Sequence, residues 1–394
     1  MIRNSCPICG DSRPAAIEYR EGVPSLQNRL TNNENDARDV FRGILDIAGC
    51  VMCGFVWNRA FDPDNIPYDP EYENDQTHSS SFRGHVEHMI AKIVDAVGDD
   101  GPIDLVEVGC GQGIFLQAFA AHVGDRLRSA VGFDPAFRAT SANFDPRIRV
   151  FGEYFNENTV THLERQPSLV LTRHTIEHVP DPIGFLAAIR TGIGNTSARL
   201  FVETPDVDWI IARGEIEDLF YEHCSLFGPN SLAMALRSAK FTPTKIDSVF
   251  DDQYLWAEAV TNDSVPETSL ASTPRREFPD LSKTRHEFVE HWRRRIAGRS
   301  AMVWGAGAKG VTFCSLVDPD RSRIAGLVDI NPGKQEKFVP LSCHRVFGPA
   351  SLLQLRPQLL IVMNPNYAVE IATTVRSMGL KTDIAVIGDG DINV

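Results

Sequence analysis

Short apolar runs alternate with stretches of helical period along most of this chain. Residues 102–106 read as a buried parallel strand, and Ile114 to Phe119 as the first turns of a helix behind it. Residues 130–135, 147–152, 169–172 and 200–205 predict further strands, and 254–260 a late one. Ahead of them Phe82, Val86, Met89, Ile90, Ile93, Val94 and Val97 share one helical face, after serines suited to capping. The alternation resumes with a helix over 283–297 and strands over 301–304, 324–329, 359–363 and 384–388. Two α/β units follow from this, each with an open, doubly wound sheet. Their expected bounds are 83–262 and 298–394, separated by a linker and helix at 263–297. The linker reading rests on the Ser, Thr, Pro and acidic residues of 263–279. Residues 1–82 have few large apolar side chains and read as a separate N-terminal domain.

Composition narrows the class. A chain of 394 residues has room for two or three domains, and its 43% hydrophobic and 23% charged residues are ordinary for a soluble protein. No apolar run approaches the ~18 residues a bilayer crossing needs, and the N-terminus lacks a basic-then-apolar leader pattern. A cytoplasmic location with no membrane partner is therefore expected. The formal net charge of −13 argues against nucleic acid, though not against a local pocket for a phosphorylated small molecule. The run Arg293-Arg294-Arg295 reads as a solvated helix face. Oligomeric state is left open, a monomer being compatible with the sequence.

Four of the eight cysteines form two C-x-x-C pairs, Cys6 with Cys9 and Cys50 with Cys53, each followed by glycine. Two such pairs supply the tetrahedral four-thiolate set of a structural zinc site. Reduced structural cysteines or a redox pair are the alternatives. The roughly forty intervening residues exceed the compact zinc motifs, and a strand and turn around 20–28 is expected to fill the gap. Metal binding would supply much of this segment's folding energy.

The chemistry centres on Glu107-Val108-Gly109-Cys110-Gly111-Gln112-Gly113 at the end of the 102–106 strand. Alternate glycines let the backbone bend and let a ligand approach it. This E-x-G-x-G-x-G resembles motif I of class I S-adenosylmethionine (SAM) methyltransferases, which implies a SAM cradle at Glu107, Gly109, Gly111 and Gly113. Asp134 ends the next strand, about twenty residues on, where such sheets set a carboxylate against a ribose. His174 and His178 follow the fourth strand in R-H-T-I-E-H-V-P-D-P, at the sheet edge that carries ligands. Glu222-His223, between aromatics, reads as an acid/base unit in which the carboxylate orients the imidazole and raises its basicity. A cap on the helix over 230–239 is the competing role for His223. Tyr68 and Tyr72 lie in a Pro- and acid-rich loop, over the site or simply packed.

A second glycine turn, Gly305-Ala306-Gly307-Ala308-Lys309-Gly310, has the G-x-G-x-x-G spacing, and Asp329 ends its next strand; alone these would suggest NAD. With Val328-Asp329-Ile330-Asn331-Pro332-Gly333-Lys334-Gln335, the zinc pairs, Gly22-x-Pro24-x-x-x-Asn28, the serines before His85 and motif I, nearly the whole chain resembles the nucleotide-sugar C-methyltransferases of deoxysugar biosynthesis. The resemblance implies a nucleoside diphosphate-linked 4-keto-deoxysugar as substrate, His223 as base with Glu222 supporting it, His178 and Tyr72 in the active site, and a C-terminal glycine turn that holds the substrate's nucleotide, Lys309 being a candidate phosphate contact and a purely structural turn the alternative. One departure stands out. The family reads Y-H-E-H where this chain reads Phe220-Tyr221-Glu222-His223, so either Tyr221 replaces the missing hydroxyl or the substrate differs. O-methylation, or a binding protein without catalysis, are the readings in competition.

Overall fold

A computed structural model describes residues 2–66, 68–98, 101–138, 144–194, 198–261, 275–388 and 390–392. The strands form three sheets. The N-terminal sheet starts with β1 (Pro14–Pro24), β2 (Arg42–Cys50) and β3 (Val56–Asn58), antiparallel to one another. The second sheet starts with β4 (Ile103–Val108), β5 (Leu127–Phe133), β6 (Ile148–Phe151), β7 (Leu169–Arg173) and β8 (Arg199–Pro205), all parallel. Every residue of β4 is buried, as a central parallel strand covered on both faces requires.

β9 (Ser225–Leu226) then leaves the core and pairs with β3, so the N-terminal sheet runs β1-β2-β3-β9. β10 (Phe241–Val249) and β11 (Tyr254–Thr261) complete the core sheet in the order β10-β11-β8-β7-β4-β5-β6, with β11 antiparallel to both neighbours. The expected strand over 254–260 is thus β11, while β10, whose apolar residues do not alternate cleanly, escapes a periodicity reading. The third sheet comprises β12 (Ala301–Trp304), β13 (Ile324–Val328), β14 (Val346–Phe347), β15 (Leu359–Val362), β16 (Asp383–Val386) and β17 (Gly390–Ile392), in the order β14-β13-β12-β15-β16-β17.

The amphipathic helix before the core is Ser80–Val97, with Ser79 accepting the Phe82 amide as its N-cap. It buries Phe82, Val86, Met89, Ile90 and Ile93 against β4 and the helix Ile114–Val123. Truncating Met89 or Ile93 to alanine would cost about 2–5 kcal/mol by leaving a cavity.

The linker needs correction at its end. Residues 262–274 lie outside the described residues, but 275–281 are strapped onto the N-terminal sheet. The Arg276 amide donates to the Val51 carbonyl at 2.8 Å, and that of Leu281 to Ile17 at 2.8 Å. Phe278 covers Gly49, where a Cβ would come within 2.5 Å of its ring. Composition marked this stretch polar; its two apolar anchors decide its position. The helix Ser282–Ile296 follows as expected. Among the described residues no helix is long and apolar enough to cross a membrane.

Candidate active site

The glycine bend after β4 is held by two backbone bonds and one carboxylate. The Gly109 amide donates to the Phe133 carbonyl at 2.8 Å. Asp134 Oδ2 accepts from the Gly111 amide at 2.7 Å and Oδ1 from Ala136 at 2.8 Å. Gly109 has φ 78°, and a Cβ there would strike Thr175 Oγ1 at 1.9 Å, so only glycine fits. At Gly111 a Cβ would meet nothing within 4 Å, because that face opens on a cavity of about 660 Å³, a size suited to a small-molecule ligand. Glu107 lines the cavity while 2% exposed, and its Oε2 has no hydrogen-bond partner. Burial raises its pKa to about 8, against the pull of Arg173. Asp134, also raised by burial, lines the same space.

A second cavity lies on the other side of His174, His178, Tyr72 and Gln76, which line both. It brings together His223, Glu177, Asn28 and the C-terminal turn Gly305 to Gly310. His174 directly follows β7 with φ 49°, a left-handed conformation uncommon for a non-glycine residue and typical of strained functional positions. The His178 ring stands edge-on to His223 at 4.8 Å between centroids, and Phe220 packs on His223 at 4.0 Å. His223 Nδ1 is buried without a partner. Burial first, then His178 and His174, hold its pKa well below 6.5, so the imidazole is neutral at physiological pH. The helix-cap alternative is absent, since Gly228 is the N-cap of Pro229–Ser238. Glu177, His178 and His223 present ligand-type atoms within 4.8 Å of one another.

Two expectations about this unit are corrected. Glu222 does not touch His223. Its Oε2 accepts from the Tyr72 hydroxyl at 2.7 Å, lies 3.7 Å from His178 Nδ1, and its Oε1 accepts from the Gln27 amide at 3.0 Å. Glu222 lies in a turn closed by the His223 amide donating to the Phe220 carbonyl at 3.3 Å, its carboxylate serves Tyr72 and His178, and the His223 imidazole is acidified rather than made more basic. Tyr221 lines neither cavity. It packs with Phe61, Leu26 and Ile66, and its hydroxyl accepts from the Asp62 amide at 3.0 Å. Phe220 is the residue facing the cleft.

Tyr68 is a site residue that spacing underweights: its hydroxyl meets His178 Nδ1 at 2.7 Å. A tyrosine in an irregular loop carries no periodic signal, so only the folded loop reveals it. Lys309 lines the second cavity but its charge is matched, with Asp218 at 2.7 Å and Glu215 at 3.6 Å.

The two glycine turns are built alike. Gly305 donates to Val328 at 2.8 Å as Gly109 does to Phe133. Asp329 Oδ2 accepts from Ala306 at 2.8 Å and Oδ1 from Asn331 at 2.8 Å, repeating the scheme of Asp134. A Cβ on Gly310 would strike the Gly305 carbonyl at 1.9 Å, the close helix–strand approach of a nucleotide-binding turn.

Residues 82–246 match the family described as "Methyltransferase domain", and residues 276–383 match "C-methyltransferase C-terminal domain". The chain is a SAM-dependent methyltransferase. Over 392 residues the methyltransferase is 23% identical to C-methyltransferase NovU of Streptomyces niveus, spanning 93% of this chain and 91% of NovU. Among solved structures it is similar to the 1,6-didemethyltoxoflavin-N1-methyltransferase of Burkholderia thailandensis (18% identity, 48% of this chain and 80% of that one, TM-score 0.34). A SAM-dependent methyltransferase from Aquifex aeolicus is also similar (13% identity, 45% and 97%, TM-score 0.34). The first cavity fits SAM on its own evidence. An unpartnered buried carboxylate oxygen at Glu107 and an open backbone face at Gly111 match a ligand with an ammonium group that lies against the loop.

Proposed function

We propose that the methyltransferase alkylates carbon on a nucleoside diphosphate-linked 4-keto-deoxysugar. The observation that carries this is a neutral, buried His223 whose unpartnered Nδ1 lies beside the cavity shared by the core and the C-terminal glycine turn. A ring C–H next to a ketone is acidic, and a neutral imidazole removes its proton to give an enolate. Bound SAM supplies the methyl that the enolate carbon takes up. The enolate oxygen needs a fixed donor. His178, whose Nδ1 meets the Tyr68 hydroxyl at 2.7 Å, fills that role in the tautomer that carries its proton on Nε2. Tyr72, held by Glu222, walls the passage between donor and acceptor. The second glycine turn offers backbone amides at the start of the helix Ala308–Val317 for the diphosphate, with Lys334 nearby, bonded to Asn28 and the Ala306 carbonyl at 3.3 Å each.

The same reading gives the Cys6, Cys9, Cys50 and Cys53 cluster a structural zinc ion. The thiols lie within 4.8 Å of one another, with Sγ pairs 3.4 and 3.5 Å apart. That is far outside disulfide length and near the ~3.8 Å that tetrahedral Zn–S bonds require. The second pair connects β2 to β3, and β3 pairs with β9 just after Glu222-His223.

Product analysis with 13C-methyl SAM tests the function. The label is expected on a ring carbon after incubation with a 4-keto sugar nucleotide. Label on oxygen would favour O-methylation, the reading that Phe220 in place of a hydroxyl supports. Tight SAM binding with no labelled product from any acceptor would favour a binding protein.

A further inference from the structure

The cavity beside Gly111 holds an unmatched donor as well as an unmatched acceptor. Arg173, at the end of β7, lines it and is 9% exposed. Its Nε donates to Glu203 Oε2 at 2.6 Å, and its guanidinium lies 4.7 Å over the Phe115 ring. Arg173 meets Glu203 through one nitrogen only, and His85 bonds the other carboxylate oxygen. Arg173 Nη2 is left buried with no partner. An arginine N–H withdrawn from water and left unpaired is costly, and an anion is its best match. The other arginine lining this cavity, Arg138, already gives its two terminal nitrogens to Glu73 Oε2 at 2.8 Å and the Pro70 carbonyl at 2.9 Å.

We propose that Arg173 is the anchor for the α-carboxylate of the SAM methionyl group, working with Glu107 as a clamp that reads both charges of the amino acid end. His85 and Glu203 are positioning residues: His85 sits on the helix Ser80–Val97 and holds Glu203 so that one prong of Arg173 is fixed and the other is free. Arg173 lines the donor cavity and not the acceptor cavity, which separates it from recognition of the sugar diphosphate. The proposal rests on the SAM assignment and deepens it.

Calorimetry with SAM and with decarboxylated SAM, which keeps the amine and lacks the carboxylate, tests it. Wild-type protein is expected to prefer SAM by about 10- to 100-fold, the usual scale of a charge-assisted bond to a buried group. Arg173→Gln is expected to lose that preference, with weaker SAM binding and analogue affinity within about twofold of wild type. Arg173→Lys should fall between, since an ammonium keeps the charge and loses the fork. Equal weakening of both ligands in Arg173→Gln would assign the residue to packing alone and overturn the proposal. So would wild-type protein that binds both ligands equally, a result that needs no variant to fold. Wild-type protein that binds neither would strike the SAM assignment itself.

Discussion

In the proposed reaction His223 is suited to act as base because its surroundings keep it uncharged, not because a carboxylate pulls on it. Its pKa is depressed, mainly by burial, so the proton-accepting form persists below the ordinary histidine range. The acid limb of kcat/KM should therefore lie below pH 6.5, and a limb centred above 7 would contradict this environment. The sign for stability agrees. The unfolded chain binds a proton near 6.5 while the native one does so only at lower pH, so stability falls as pH drops from that value towards the depressed native pKa. His223→Ala should lower turnover by about 10²–10⁴-fold with SAM affinity retained, as single-turnover rates and calorimetry would report. Tyr221→Phe should leave kcat within about twofold, because the hydroxyl braces Asp62 outside both cavities; loss there costs about 1 kcal/mol, read from the unfolding midpoint. Glu107, raised to about 8, should release a proton on gaining a cationic partner, visible as a binding enthalpy that depends on the ionisation heat of the buffer at pH 7. Motif spacing finds Glu107, Asp134 and His223. It does not say which way Glu222 or Tyr221 points, since that depends on a turn with no periodic signature.

The elements explain how these side chains meet. A strand, a glycine bend and a helix occur twice, and each time an aspartate 23 residues beyond a loop amide holds the bend shut. This repeat is legible in the sequence because close backbone packing demands glycine. β9 is not, since two residues carry no pattern. Yet β9 joins the cysteine-bearing sheet to the Glu222-His223 turn. Removing metal should therefore reach the active site. Elemental analysis is expected to find one zinc per chain, and Cys50→Ser to lose it together with most activity and several degrees of thermal midpoint. Full activity without metal would separate that sheet from the site.

At the scale of the molecule, three units enclose the cleft and are tied at several points. Ser79 and the amides of Ser80 and Ser81 bind Glu370 of the C-terminal unit, at 2.6 to 3.1 Å. Thr31 bridges to Phe338, and Asn331 donates to Glu73 at 3.0 Å. Domain order could be read from alternating strand and helix patterns, but these ties join residues some 260 to 310 positions apart, so no local pattern encodes them. They set the second glycine turn opposite His223, which makes the acceptor cavity a product of all three units rather than of the core alone. The claim that this cavity presents a carbon acid to His223 can be read without methyl transfer. Mass spectrometry of a 4-keto sugar nucleotide incubated in deuterated solvent with SAM-free enzyme should show uptake of one deuterium beside the ketone, lost in His223→Ala. Methyl transfer to such a sugar with no exchange in the wild type, or equal exchange in both proteins, would contradict the account.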